Sequence, residues 1–321
     1  MPNILDPLPE ELQPRFQALS DNLDIRLPAK KIGRNLLIAT WNIRAFGDLS
    51  RIWTSGQEDS PRRDLSSVKY ITEIISRFDV IAVQEVKANI RAFRDMMKLL
   101  GPNWSFILTD VTAGSAGNGE RMAYVFDTRR VNLSGLASEI VVPKEWLNEV
   151  GENALKDQFV RSPYAVSFRS ESKTFILVTL HVIYGKKSKD RIAELKGIAR
   201  WLSEWAKDVN AYDQNLICLG DFNIDERGDL LDQTFLAEGL YVPPALQAEG
   251  ATRSIFNEDK YYDQIAWFNG ENGKPKLSMD LLAAGNYDFV PLLWNQDTHS
   301  KLQHSWMISD HYPLWTEFSI R

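Results

Sequence analysis

Short apolar runs set apart by turns and amphipathic stretches constrain this 321-residue chain more than any other feature. Leu36–Trp41, Val80–Val83, Phe106–Leu108, Met122–Phe126, Phe175–Leu180, Leu216–Leu219, Ile265–Phe268 and Leu314–Phe318 each fit a strand. Two stretches fit helices instead. Val68, Ile71, Ile74, Ile75 and Phe78 share one face behind an expected Asp64 cap, and Ile192, Leu195, Ala199, Leu202, Ala206 and Val209 form one apolar stripe. Helices interleaved with strands favour a parallel sheet, but this many strands with so few long helices fits two packed sheets flanked by helices better. Pro7, Pro9, Pro14 and Pro28 break up residues 1–33, which read as an N-terminal extension with one short helix over Glu10–Leu19.

Composition removes several alternatives. With 44% hydrophobic and 25% charged residues the chain is globular rather than disordered. One cysteine, Cys218, excludes an intrachain disulfide and a multi-cysteine metal cluster. No apolar run approaches the roughly 18 residues of a membrane span. The acidic, proline-broken N-terminus is unlike a signal peptide, and with the lone cysteine it predicts a cytoplasmic protein. A net charge of −6 gives no general help to nucleic-acid binding, although a local basic groove would suffice.

The polar residues at the ends of the apolar runs point to function. Asn42 closes the first run, Gln84-Glu85 the second, His181 the fifth and Gly220-Asp221-Phe222-Asn223 the sixth, while Ser309-Asp310-His311 leads into the last. Each is ordinary alone, since Asp, Asn and Gly are common turn residues. Their recurrence at five strand ends favours convergence on one crevice. Carboxylate and amide oxygens with two imidazoles suit Mg²⁺, Mn²⁺ or Ca²⁺ rather than zinc.

Together, Ala39-Thr40-Trp41-Asn42-Ile43-Arg44-Ala45-Phe46-Gly47, Gln84-Glu85-Val86, Gly220-Asp221-Phe222-Asn223, Tyr262-Asp263-Gln264-Ile265 and Ile308-Ser309-Asp310-His311-Tyr312-Pro313 resemble the ordered motifs of the endonuclease/exonuclease/phosphatase superfamily. The first and last of them are most similar to its pancreatic-type deoxyribonuclease branch. The resemblance covers residues 34–321, taken as the catalytic domain. It implies a four-layered α/β sandwich, with two mostly antiparallel sheets packed face to face and helices outside.

It also implies roles. Glu85 would be the principal metal ligand, with Asn42 and Asp310 close by, and Asp221 and Asn223 would hold a second metal or orient water and phosphate. His181 and His311 would carry the proton transfers, backed by Glu120 and Asp263; His299 and His304 receive no role. Arg44, Lys87 and Arg161 fall where the nuclease branch has basic residues near DNA or the scissile phosphate. The long stretch from Gly47 to Arg63, with Arg51, Trp53, Arg62 and Arg63, is expected to grip backbone phosphates or fold onto the sandwich. Gly185-Lys186-Lys187-Ser188-Lys189 would put positive charge beside the site. The expected activity is Mg²⁺- or Mn²⁺-dependent hydrolysis of DNA, as a weakly sequence-selective endonuclease. A lipid or inositol phosphate substrate, or an inactive binding scaffold of the same fold, are the alternatives.

Overall fold

Successive residues of β1 (Asn35–Phe46) go alternately to two cores. Leu36 and Ile38 enter one, Leu37, Ala39, Trp41 and Ile43 the other, and all are closed to solvent. In β2 (Val80–Lys87), Val80 and Ala82 likewise part from Ile81 and Val83. Side chains alternate across a strand, so a strand covered on both faces must read as a continuous apolar run.

The computed structural model describes residues 1–112, 118–141, 159–185, 189–208, 212–271 and 276–321. One six-stranded sheet joins β1 and β2 to β3 (Trp104–Leu108), β4 (Glu120–Asp127), β11 (Asp280–Asn286) and β12 (Leu314–Ser319), in the order β11-β12-β1-β2-β4-β3. The other runs β5-β6-β7-β8-β10-β9 and contains β5 (Asn132–Glu139), β6 (Tyr164–Ser170), β7 (Lys173–His181), β8 (Leu216–Ile224), β9 (Leu240–Tyr241) and β10 (Tyr261–Phe268). Neighbours pair antiparallel except β1 with β2 and β7 with β8.

The first core lies between the sheets, where Leu36, Val80 and Tyr124 meet Phe168, Ile176 and Val178, and it continues to the helix α4 (Lys189–Lys207) through Leu195, Ala199 and Leu202. The second lies on the far side of the first sheet, under α1 (Gln13–Arg26), α2 (Leu65–Ile75) and α3 (Arg91–Leu100). Helix, sheet, sheet and helix make the expected four-layered sandwich. Short helices α5 (Leu230–Leu236), α6 (Pro244–Gln247), α7 (Val290–Leu293) and α8 (Lys301–Met307) complete the described chain.

All eight expected strands lie within observed ones. Asp64 caps α2 by accepting from the Ser67 amide at 2.8 Å. In the α4 stripe Leu195, Ala199, Leu202 and Ala206 are buried and Ile192 is partly buried, while Val209 lies outside the described residues. The N-terminal helix differs from expectation. A 3-10 turn over Glu10–Leu12 opens it as expected, but the α-helix from Gln13 runs on to Arg26, and Pro14 sits in its first turn, where its missing amide costs nothing. Leu19, Leu23 and Leu27, spaced by four, bury one stripe in the second core.

Candidate active site

The two parallel pairs explain why the polar residues converge. Parallel neighbours end on the same edge, so Asn42 stands in register with Gln84 beside Glu85, and His181 with Asp221. The sheets are locked just below this edge. Gln84 Nε2 donates to Thr40 Oγ1 at 3.1 Å and across the core to Thr179 Oγ1 at 2.9 Å. Register shifts then occur where the site begins: in β1 between Asn42 and Phe46, in β2 between Val83 and Val86, and in β10 between Tyr261 and Asp263. An extra residue in a ladder bends the strand and re-aims a side chain. Glu85, Ala45 and Asn223 take φ values of 60°, 45° and 51°, in the left-handed region that costs non-glycine residues energy. Gly220, at φ 142°, cannot carry a side chain, because a Cβ there would collide with the Leu180 carbonyl oxygen.

Asn42 joins the halves. Its Nδ2 donates to Glu85 Oε1 at 3.2 Å and to Asp221 Oδ2, from the opposite sheet, at 2.9 Å. Glu85 Oε2 accepts from the Ala45 amide at 2.8 Å. Asp221 Oδ2 lies 3.6 Å from His181 Nε2 and 4.0 Å from His311 Nε2, so both imidazoles point at one carboxylate. Behind them, His311 Nδ1 bonds to Asp263 Oδ2 at 2.6 Å, and His181 Nδ1 stands 3.5 Å from Glu120 Oε2. Asn223 Nδ2 is used to hold the Val182 carbonyl at 2.7 Å.

Burial pushes the Asp221 carboxyl up to about 6 against the pull of His311, Asn42 and the Asn223 amide. Burial also raises Glu85, and the neighbouring Glu120 and Asp310 carboxylates raise it further, outweighing the Ala45 amide. His181 is held well below the usual imidazole range by burial and then by Arg161, His311 and Lys87. His311 stands well above that range: burial opposes its charge, but Asp263, Asp221 and Asp310 prevail.

The basic residues divide. Arg44 lies at the site with its guanidinium carbon 4.0 Å from the Trp306 ring centre, donating to Ser305 Oγ at 2.6 Å and pairing with Asp310 at 3.3 Å. Lys87 and Arg161 both reach Glu120, at 2.8 and 2.9 Å. The stretch from Gly47 to Arg63 does not present a basic grip. Arg63 is 2% exposed and donates to the Arg44, Ala45, Met307 and Ile308 carbonyls. Arg51 pairs with Asp95, Trp53 packs on the second core, and Arg62 is partly exposed and donates to the Gly56 carbonyl at 3.3 Å. In Gly185–Lys189, residues 186–188 and the Lys189 side chain lie outside what the structure describes.

Four supporting residues were not singled out from sequence. Ser309 Oγ donates to the Asn42 carbonyl at 2.6 Å and accepts from the His311 amide at 3.1 Å, which its place in the Ser-Asp-His motif signals. Fully buried Arg253 donates to the Asp263 carbonyl at 3.0 Å. No sequence signal marks it, nor Ser305 and Trp306 beneath Arg44.

Among the described residues no three His, Cys, Asp or Glu side chains form a closed metal cage. The donors nonetheless fit a hard cation that keeps most of its water, which needs one or two carboxylates and little else. Asn42 Oδ1 is buried without a hydrogen-bond partner next to the Glu85 carboxylate, an oxygen lone pair left for such a ligand.

Two packed sheets with paired imidazoles and buried carboxylates at one edge define an α/β-sandwich hydrolase. Residues 39–311 match the Endonuclease/Exonuclease/phosphatase family, and the chain belongs to it. It is 27% identical over 310 residues to a protein named deoxyribonuclease from Thioalkalivibrio sp. (strain K90mix), covering 92% of this chain and 74% of that one. It is 28% identical over 197 residues to deoxyribonuclease-1 of Canis lupus familiaris, covering 59% of this chain and 60% of the relative. The catalytic domain of human Nocturnin, solved with a bound sulfate anion, shares the fold at a TM-score of 0.60 and 15% identity, over 91% of this chain and 96% of that one. No helix among the described residues is long and apolar enough to cross a membrane.

Proposed function

We propose that the chain is a divalent-metal-dependent phosphodiesterase that hydrolyses DNA as an endonuclease with little sequence preference. One observation carries this reading: His181 and His311 turn their Nε2 atoms to Asp221, which Asn42 ties to Glu85. Hydrolysis of a phosphate diester needs charge neutralised on the phosphate, a base for water and an acid for the departing oxygen. Asn42, Glu85 and Asp310 would hold Mg²⁺ or Mn²⁺, with Ca²⁺ also admitted; a bound cation supplies charge neutralisation and a more acidic water.

The chain's own groups perform the rest. His181 and His311 exchange protons at Nε2, one with the attacking water and one with the leaving oxygen. Asp263 fixes the His311 tautomer by accepting its Nδ1–H. Asp221 and Asn223 orient water and phosphate between them. In the metal-free site burial and the Arg161 charge keep His181 neutral, while the Asp263, Asp221 and Asp310 carboxylates keep His311 charged. A cation beside Asp310 opposes that charge, so this division belongs to the site before metal enters.

DNA is favoured over a lipid or inositol phosphate by Arg44, a cation lying over Trp306, which is 41% exposed. That pairing offers a phosphate contact beside a face on which a base stacks. The names of the two curated relatives agree. Residues 34–321 form the catalytic domain on this reading. A cytoplasmic location is supported by the single cysteine, Cys218, which leaves no intrachain disulfide to form.

Plasmid DNA incubated with the protein and Mg²⁺ or Mn²⁺ is expected to be nicked, and EDTA or His181→Ala to abolish nicking. A plasmid left intact with every divalent metal tried rejects DNA as substrate. Phosphate release from inositol or lipid phosphates in the same assay would transfer the reading to those esters.

A further inference from the structure

A cavity of about 460 Å³ opens among the start of α1, the loop before α2, the first turns of α2 and the segment from α7 through α8. It shares no lining residue with the catalytic groups, and its volume suits a small organic ligand, for which roughly 300–1,000 Å³ is usual. Ser55, Tyr70 and His304 line it at 2%, 5% and 3% exposure. Ser55 Oγ and His304 Nε2 are buried there with no hydrogen-bond partner. An unpaired buried polar atom is costly, so two on the wall of one hollow call for a partner inside it.

We propose that this cavity is a second binding site, for a nucleoside monophosphate. Leu293, Ile308 and the Tyr70 ring give a flat base apolar surface, while Ser55 and His304, which both donate and accept, address its polar edge. At the same wall, Arg15 has no ion pair among the described residues, and His299 lies beside it. Burial first, and then the His299 and Arg15 charges, bring His304 down to about 4. Asp297 is the one acid among the described lining residues. A phosphate supplies the missing charge. α8 gives His304 and Met307 to this cavity and Ser305 and Trp306 to Arg44.

The test is calorimetric titration of the full chain with dAMP in EDTA, alongside His181→Ala. Both proteins should bind dAMP at one saturable site. Arg15→Ala, at a partly exposed position, should keep its melting temperature and weaken dAMP about tenfold or more. Deoxyadenosine should bind more weakly and ignore Arg15→Ala, whereas Ser55→Ala should weaken both ligands. No saturable binding at millimolar dAMP overturns the proposal. So does affinity indifferent to Arg15→Ala and Ser55→Ala, loss of binding in His181→Ala, or inorganic phosphate matching dAMP in affinity. None of these outcomes depends on which ester the catalytic site cleaves.

Discussion

The Asp263 carboxylate meets His311 at 2.6 Å, whereas Glu120 stands 3.5 Å from His181 and is also engaged by Lys87 and Arg161. Two imidazole–carboxylate pairs that read alike in sequence are therefore electrically opposite. A carboxylate raises a neighbouring imidazole only with charge left uncompensated. Glu120's charge is met by two cations, and after burial, which lowers His181 most, those cations push it down further. Among the described residues, Asp263 meets no lysine or arginine at bonding distance through its carboxylate, and with Asp221 and Asp310 it holds a proton on His311.

The largest test of this contrast removes the imidazoles. His181→Ala and His311→Ala should each lower plasmid nicking by about 10²–10⁴-fold; a loss confined to one leaves a single working histidine. Next come the carboxylates. Asp263→Asn should cost about 10–100-fold in kcat/KM, and Glu120→Gln less; equal losses would end the asymmetry. A smaller effect comes from the cations. Arg161→Met and Lys87→Met should each raise the His181 pKa in an NMR titration in EDTA, Arg161→Met by more.

The smallest effect is on stability against pH, measured by urea unfolding in EDTA. His181 titrates below 6.5 when folded, so the unfolded chain takes its proton first and stability falls as pH drops below 6.5. His311 titrates above 6.5, so its contribution is full below 6.5 and is lost as pH rises through the folded value. His181→Gln should flatten the acid side and His311→Gln the alkaline side. Both variants flattening the same side would contradict the opposed charge states.

Legibility in the sequence followed unbroken apolar runs more than burial: β6 is buried almost throughout, but Ser167 and Arg169 interrupt its run. Runs such as Leu36–Trp41 and Val80–Val83 are covered on both faces, so their apolar character is unbroken. β5 is an edge strand exposed along most of its length, and Asn132–Glu139 carries no such run; β11, an edge of the other sheet, is half-buried and has only the short run Leu281–Ala284. Nine of the chosen site residues, Asn42, Glu85, Glu120, His181, Asp221, Asn223, Asp263, Asp310 and His311, do gather, because parallel pairing brings separate chain segments to one edge. Charge alone misled at Arg63. Nothing local distinguishes an arginine that binds phosphate from one sealed against four carbonyls, since the acceptors at Met307 and Ile308 lie far along the chain. Lys87 and Arg161, placed near the phosphate by the family resemblance, pair with Glu120, a contact that likewise joins distant parts of the chain.

The chain leaves the first sheet after β4, builds all of the second, and returns for β11 and β12. His311 rides on that return, just before the strand wedged between β11 and β1, while its partner Asp263 comes from the excursion. The catalytic edge is thus complete only once the last described strand has returned to the first sheet. On the proposed mechanism, a product cut before Ser309 would keep Glu85 and His181 but lack Asp310 and His311, and so be inert.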